Sequence, residues 1–371
     1  SLDNLKGEII INSGVFENSH GTYKSQQFTI DVDNVGEHRN IQINSDLFDV
    51  TVAGKGSYQE LQDYIYDFLH AHIPSIPKRK NYAPHTHLPH FNLSVHIKKA
   101  DSLLHIFNPN IHIAQGSYMN SVFSEEQQLC MMESFVPELS IGNVKLQNIK
   151  ITAEGSTEQI NTNLIYSLAL NQLTIPDISS SFMFKNNSFE HATHWNHVDS
   201  VVYKGSIENS GIFEPSTHAF LPKIVVSVPH QTVVIADSVW HIHIAESTID
   251  SSSIYVSHAY VQKHDEKIEF QGKISHNKND TISIMFQDFD AENFNNIMPE
   301  NINFSGVLQG KINFQRLYET PLIFANISSD DFYFNGNKQG VLKIRSMWMP
   351  QKRGIKLSIS CTKGTTDILS L

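Results

Sequence analysis

The sequence predicts an all-β protein with a few short helices, in which an elongated, curved antiparallel sheet carries a hydrophobic groove. Three observations support this fold class. Apolar and polar residues alternate over many short runs, these runs end in Gly, Asn, Asp, Ser or Pro, and helical periodicity is confined to a few segments. Alternation is the period of a strand with one buried face, and frequent turn residues are typical of antiparallel meanders.

The first clear strand is QFTIDVD, which places Phe28, Ile30 and Val32 on one face and Asp31 and Asp33 on the other. The following runs, NIQIN and LFDVTVAG, continue the same two-residue period. Successive side chains of a strand point to opposite faces, so each of these runs predicts a strand with one apolar face.

The clearest helix is predicted at about residues 57–73, within YQELQDYIYDFLHAHIP. Ser57 is a suitable N-cap, Glu60 occupies the capping-box position, and Pro74 ends the segment. A short helix is predicted at about residues 290–298. These helices do not alternate regularly with strands, which argues against a βαβ architecture. In the first of these helices, apolar residues recur every three or four positions, which is the period of a helix with one buried face. These residues are Leu61, Tyr64, Ile65, Phe68 and Leu69.

The second half of the chain repeats the strand pattern. In VWHIHIA, Trp240 and Ile242 lie on the face opposite His241 and His243. The strand FSGVLQGKINF is unusual because its apolar face contains Gly306 and Gly310, which predicts curvature, a bulge or close approach of another group. The predicted lining of the groove consists of the alternating apolar residues of these strands. They are Phe28, Ile30, Val32, Trp240, Ile242, Ile244, Ile268, Phe270, Ile282, Ile284, Phe286, Phe304, Leu308, Ile312, Phe314, Leu342, Ile344, Ile355, Leu357 and Ile359.

The amount of apolar alternation poses a burial problem. At ~10 residues per strand and turn, the chain supplies ~30 strands. At ~4.8 Å per strand, one continuous sheet extends ~100 to 150 Å. A few short helices cannot cover such a sheet, so it must fold over lengthwise around an apolar groove. We therefore expect residues 1–371 to form one continuous segment, with a soft boundary near residues 185–200.

The 20 histidines invite a metal-site interpretation. Clusters occur in HTHLPH, in HATHWNH and in VWHIHIA, but an HxH pair needs a third ligand, and no ligand follows at a diagnostic spacing. The strand period favours histidines on a polar face, and we predict no metal. Cys130 and Cys361 form no CxxC motif; they are either free thiols or one disulfide.

No catalytic signature is present. The sequence contains no GxSxG, HExxH or P-loop, and adjacent acidic pairs lie in predicted turns. The net charge of −11 argues against binding to nucleic acid. We therefore predict that the protein is not an enzyme and carries no cofactor.

The stretch from Phe270 to Ser360 resembles the repeated region of TamB-like proteins of the AsmA-like superfamily, in the form found in Bacteroidetes. The shared features are the paired glycines of FSGVLQGKINF, the Pro of ETPLIFANI, the NG of FYFNGNKQG, the following Gly340 and the Trp of SMW. The N-terminal INSDLFDVTVAGKGSYQELQDYIYDFLHAHIP is similar to the strand, glycine and long helix of the same proteins. The likeness covers most of the chain.

This resemblance implies a U-shaped antiparallel sheet, described as a β-taco, whose groove carries phospholipid acyl chains across the periplasm between the inner and outer membranes. It also implies an inner-membrane anchor outside this sequence, a role in outer-membrane biogenesis of the Gram-negative cell envelope, and an outer-membrane barrel protein of the assembly machinery as a partner. No catalytic residues follow from it. The predicted function is a lipid-conducting segment of an intermembrane bridge.

Two alternatives come from other classes of protein. The first is a scaffold for outer-membrane protein assembly, whose exposed strand edges pair with nascent strands by β-augmentation. The second is a carbohydrate-active or adhesive solenoid, which requires exposed aromatic platforms and convergent carboxylates. The tryptophans at 195, 240 and 348 are tied to strands of the repeated pattern, which disfavours this second alternative.

Overall fold

The computed structural model describes residues 2–18, 21–24, 26–77, 88–99, 101, 104, 107–171, 173–199, 201–216, 221–319, 321–349, 354–363 and 366–370. These residues form antiparallel strands, a 15-residue α-helix and two short 3-10 helices, and Asp101, Leu104 and Phe107 are also helical. The predicted all-β antiparallel architecture is confirmed. The chain divides into two compact units: unit 1 comprises residues 1–170 and 174–193, and unit 2 comprises residues 171–173 and 194–371.

Unit 1 contains a sheet in which most strands pair with their neighbours in the chain. The strands are β1 (Lys6–Asn12), β2 (Val15–Asn18), β3 (Gly21–Lys24), β4 (Gln27–Asp33), β5 (His38–Ser45), β6 (Phe48–Lys55), β7 (His90–Ile97), β8 (Ile111–Ile113), β9 (Tyr118–Ser124), β10 (Leu129–Ile141), β11 (Val144–Gly155) and β12 (Ile160–Leu170). β1 pairs with β4, and the order then runs through β5, β6, β7, β9, β10, β11 and β12. β8 pairs with β10, and β2 and β3 form a separate two-stranded sheet.

The chain passes between the two units within β13 (Leu173–Lys185) and β14 (Ser188–Val198). The remaining strands are β15 (Val202–Glu214), β16 (Lys223–Ile235), β17 (Ser238–Ile249), β18 (Ser253–Lys263), β19 (Glu266–Ser275), β20 (Thr281–Asp290), β21 (Phe304–Ser305), β22 (Val307–Gln315), β23 (Leu322–Phe334), β24 (Asn337–Met349), β25 (Gly354–Lys363) and β26 (Thr366–Ser370). Unit 2 is a meander in which each strand pairs with the next along the chain, except that β20 pairs with β22 and β21 with β23.

Several hairpins use two-residue turns in which both residues have positive φ. The pairs are Asn186 with Asn187, Ala236 with Asp237, and Asn335 with Gly336. Positive φ at both central residues is the requirement of a type I′ turn, whose twist matches that of the flanking strands. A turn of fixed length also fixes the register. Consecutive strands therefore keep their apolar residues on a common face.

The long helix α1 spans Tyr58–His72, within the segment predicted at residues 57–73. Its start is a capping box: the Ser57 side chain accepts a hydrogen bond from the Glu60 backbone N–H at 3.0 Å, and the Glu60 carboxylate accepts one from the Ser57 N–H at 2.8 Å. These bonds satisfy two backbone donors, one of them among the N–H groups that the first turn of a helix leaves unpaired.

A 3-10 helix at Ala291–Ile297 occupies the position of the second predicted helix, at about 290–298. The Asp290 side chain accepts from the Glu292 N–H at 3.0 Å and caps its start. The Asn295 side chain both donates to the Phe304 carbonyl, at 2.9 Å, and accepts from the Phe304 N–H, at 2.8 Å. This pair of bonds fixes the helix to β21.

The two glycines predicted inside the apolar face both have positive φ, +118° for Gly306 and +127° for Gly310. Gly306 separates β21 from β22. Gly310 lies within β22, where a Cβ atom would be 2.0 Å from the Asn326 carbonyl oxygen of β23. Only glycine fits this combination of conformation and strand spacing without strain.

We expect Gly310→Ala to destabilise unit 2 by about 3 kcal/mol or more, because backbone strain and a clash with a neighbouring strand act together. The measurement is urea unfolding followed by tryptophan fluorescence. Gly336→Ala is the matched control: its φ is +75° but no atom lies within 4 Å of an added Cβ. That variant should lose only the cost of the left-handed conformation, about 1 to 2 kcal/mol. If both variants lose the same free energy of unfolding, the close approach of β23 is not what requires glycine at position 310.

Candidate functional site

A continuous row of small and apolar residues crosses eight strands of unit 2. In this central row each residue is the register partner of the next. The row consists of Ile242, Val261, Ile268, Phe286, Gly310, Ile327, Ile344 and Ile359, from β17, β18, β19, β20, β22, β23, β24 and β25 in that order. Seven steps of about 4.8 Å give the row a length of about 34 Å along the sheet.

A parallel row lies one pleat away on the same face. It consists of Ile244, Ala259, Phe270, Ile284, Ile312 and Ala325. A third set, Ile282, Phe314 and Ile323, continues beside it. We call these three sets together the apolar face of unit 2.

The other residues predicted from the unit 2 sequence lie on or beside this face. Trp240 opposes Val233, Leu308 opposes Phe289, and Leu342 opposes Cys361. Leu357 lies two residues from Ile359 and opposes Ser346. The Phe304 ring contacts Phe332 and Phe334, with centroids 6.0 and 5.8 Å away. Ile355 pairs with Trp348 in the backbone register, but its side chain lies outside the described residues.

The apolar face is only half-buried over most of its length. Outside the aromatic cluster at one end, Ile244, Phe270, Ile284, Ile312 and Ile344 all retain partial exposure, and Leu357 is 54% exposed. A sheet face covered by a second layer ordinarily places its large apolar side chains fully inside. This face therefore offers apolar surface that a further apolar group can cover.

One end of the face is closed by an aromatic cluster. Val233, Trp240 and Phe289 are buried there, and Phe294 of the 3-10 helix packs against them. The first four residues of the central row, Ile242, Val261, Ile268 and Phe286, also pack against this cluster. The Phe289 ring centroid is 6.2 Å from that of Trp240 and 5.1 Å from that of Phe294. The cluster anchors the 3-10 helix over the sheet.

Sequence reasoning missed Phe289. In a regular strand, residues three apart point to opposite faces, so alternation places Phe289 opposite Phe286. The register shifts between these two residues, and Asp288 has a φ of +47°. The resulting bulge returns Phe289 to the apolar face. The sequence carries no signal that locates this bulge.

The histidines of VWHIHIA lie on the opposite, polar face. His241 is exposed and its Nδ1 lies 3.1 Å from the Thr232 hydroxyl. His243 donates from Nδ1 to the Val228 carbonyl at 3.0 Å, and its ring stacks on that of His230 with centroids 4.0 Å apart. The Tyr260 hydroxyl bonds to His230 Nδ1 at 2.8 Å. The described contacts of His241, His243 and His230 are therefore hydrogen bonds and ring stacking with other residues of the sheet.

The other histidine clusters do not converge on a common site within the described residues. His191 stacks on Phe182, with ring centroids 4.2 Å apart, and bonds to the Thr193 hydroxyl. His90 lies in β7, whereas His85 and His87 lie outside the described residues. Across the described ranges, no group of three or more His, Cys, Asp or Glu side chains is arranged to hold a metal ion. Cys130 and Cys361 are free thiols.

Unit 1 carries a similar apolar row. It consists of Ile9, Ile30, Ile43, Val50, Val95 and Met119, from β1, β4, β5, β6, β7 and β9. The predicted residues Phe28 and Val32 lie on the same face as Ile30, and all three are half-buried. The Phe28 ring packs edge-on against Phe48, with centroids 6.5 Å apart.

Helix α1 packs against part of the unit 1 face. The Tyr64 hydroxyl lies 3.0 Å from the Ser124 carbonyl oxygen and 3.1 Å from that of Leu129. These contacts fix the helix to the ends of β9 and β10. Burial raises the pKa of Tyr64 to about 12, so its hydroxyl stays protonated and able to donate.

A cavity of about 120 Å³ remains between α1 and the sheet. Its helix wall includes Phe68 and Leu69, and its sheet wall includes Cys130, Met132 and Ala153. The walls are apolar, and native interiors contain few voids larger than a water molecule.

Within the described residues, no helix is both long and apolar enough to cross a membrane. Comparisons of the chain with protein families, with curated proteins and with solved structures give no match.

Proposed function

We propose that the chain is a lipid-conducting segment of a TamB-like bridge protein, and that the apolar face of unit 2 carries acyl chains. The observation that supports this most directly is the central row, in which residue after residue is apolar or glycine across eight strands. In the row beside it, the partial exposure of Ile244, Phe270, Ile284 and Ile312 leaves room for hydrocarbon contact.

The dimensions favour an extended ligand. One leaflet contributes half of the ~30 Å hydrocarbon core of a bilayer, so an extended acyl chain is about 15 Å long. The row from Ile244 to Ala325 has five steps of about 4.8 Å, so at about 24 Å it is longer than one such chain. Each methylene removed from water contributes about 0.8 kcal/mol, wherever along the row it lies. Because successive positions are chemically alike, a chain moving along the row changes its binding energy little.

The cellular role rests on the sequence resemblance. TamB-like proteins span the periplasm between two membranes, and a segment with an apolar face on each unit suits the middle of such a bridge. The partners under this proposal are phospholipid and the outer-membrane assembly machinery. The function needs no catalytic group.

The test is site-specific photo-crosslinking in Gram-negative cells. A photo-reactive residue at Ile284, on the apolar face, should yield adducts with acyl lipids. The same photo-reactive amino acid in place of Met285, which opposes Glu269 and Lys311 on the polar face, should give no lipid adducts. If Ile284, Ile312 and Ile344 all fail to give lipid adducts, or if Met285 gives the same yield, the proposal is wrong.

A further inference from the structure

The cavity beneath α1 differs from the long apolar face in that it lies between two walls, the helix and the sheet, and opens to the surface on one side. It is walled on the helix side by Tyr64, Phe68 and Leu69 and on the sheet side by Cys130, Met132 and Ala153. Leu69 is 38% exposed, so the helix side of the cavity reaches the protein surface. A small molecule can therefore reach this side of the cavity.

Water is a poor occupant of this cavity. A buried water needs two to four polar partners. Of the wall groups, the Tyr64 hydroxyl is already directed at the Ser124 and Leu129 carbonyls. The Cys130 thiol is a weak donor, and burial raises its pKa to about 11, which keeps it uncharged.

The size of the cavity suits a small hydrocarbon. Apolar cavities of roughly 150 Å³ stay dry and bind benzene or xenon. The cavity under α1, at about 120 Å³, is close to that volume. A bound hydrocarbon would restore the dispersion contacts that an empty cavity forfeits.

We infer that this cavity is a separate binding site in unit 1, which takes up an uncharged hydrocarbon group of about the size of a short alkyl chain. The site goes beyond the proposed lipid conduction, since its walls belong to unit 1 and its ligand is a short group. It does not require the apolar face of unit 2 to bind lipid.

The free thiol of Cys130 lines the cavity and reports on its occupancy. Cys361 is only 4% exposed and serves as the buried reference thiol. The experiment measures N-ethylmaleimide labelling of each cysteine in the full chain by peptide mass spectrometry, with and without n-pentane. Pentane should slow labelling of Cys130 several-fold, whereas pentanediol, a polar molecule of the same chain length, should have no effect.

Ala153→Leu provides the decisive variant, because it fills the cavity from the sheet side. It should abolish the effect of pentane on Cys130 while the urea midpoint of the protein holds or rises. Ala153→Val is a smaller replacement that serves if the leucine overpacks the site. Thr152→Leu adds a leucine on the opposite, exposed side of β11 and should leave the pentane effect unchanged.

The inference is overturned if pentane leaves Cys130 labelling unchanged in the wild-type chain, or if folded Ala153→Leu and Ala153→Val respond like wild type. Protection of Cys130 by pentane, together with no lipid adducts at Ile284, Ile312 and Ile344, would support the cavity and count against lipid binding in unit 2. The reverse pattern would overturn the cavity alone. The two proposals can therefore fail independently.

Discussion

Replacement of Ile284 by aspartate is expected to reduce hydrocarbon bound to unit 2 by at least about tenfold. Ile284 opposes Phe270 on one side and Ile312 on the other, in the middle of the apolar face. A carboxylate there retains its water and keeps hydrocarbon away from the neighbouring side chains. Displacing two methylenes forfeits about 1.6 kcal/mol, and each 1.4 kcal/mol is a factor of about ten in affinity. Native mass spectrometry of copurified lipid measures the loss.

The matched control is Met285→Asp. Met285 is the next residue of β20, is 40% exposed, and opposes Glu269 and Lys311 on the polar face. The same charge placed there should leave lipid content near that of the wild type. Urea unfolding of both variants separates a lost binding surface from a lost fold. A folded Ile284→Asp protein with unchanged lipid content would remove the physical basis of the proposed function.

The sequence was informative wherever structure depends on local pattern. Alternation assigned Ile268, Phe270, Ile284 and Ile344 to strands, and the observed register brings them to one face. The reason is that short turns fix the register between consecutive strands, so a pattern within each strand becomes a pattern across the sheet. The start of α1 was equally local, because the capping box lies within four residues.

Features that depend on distant contacts could not be read from the pattern. The bulge at Asp288 moves Phe289 to the apolar face, and the residues around it are compatible with an unbroken strand. The cavity under α1 depends on where Tyr64 meets the carbonyls of Ser124 and Leu129, which lie some sixty residues further along the chain. Neither the bulge nor the contacts of Tyr64 produce a periodic pattern in the sequence, so alternation alone does not predict them.

The residue that alternation misplaced also carries the largest expected effect on stability. We expect Phe289→Ala to lower the free energy of unfolding of unit 2 by about 3 to 5 kcal/mol, the usual cost of truncating a buried phenylalanine. Phe289 is only 3% exposed, and its ring contacts those of Trp240, Phe286 and Phe294. Its loss leaves a cavity and removes the packing that holds the 3-10 helix at Ala291–Ile297 against the sheet.

Tryptophan fluorescence during urea unfolding isolates this effect, because all 3 tryptophans, Trp195, Trp240 and Trp348, belong to unit 2. The matched control is Phe334→Ala, since Phe334 is 41% exposed and should lose about 1 kcal/mol or less. If both variants lose the same amount, Phe289 is not a core residue and the bulge at Asp288 does not direct it inward. If only Phe289→Ala is strongly destabilised, the end of the apolar face is a packed core, and the face available to hydrocarbon begins beyond it, at Ile284 and Ile312.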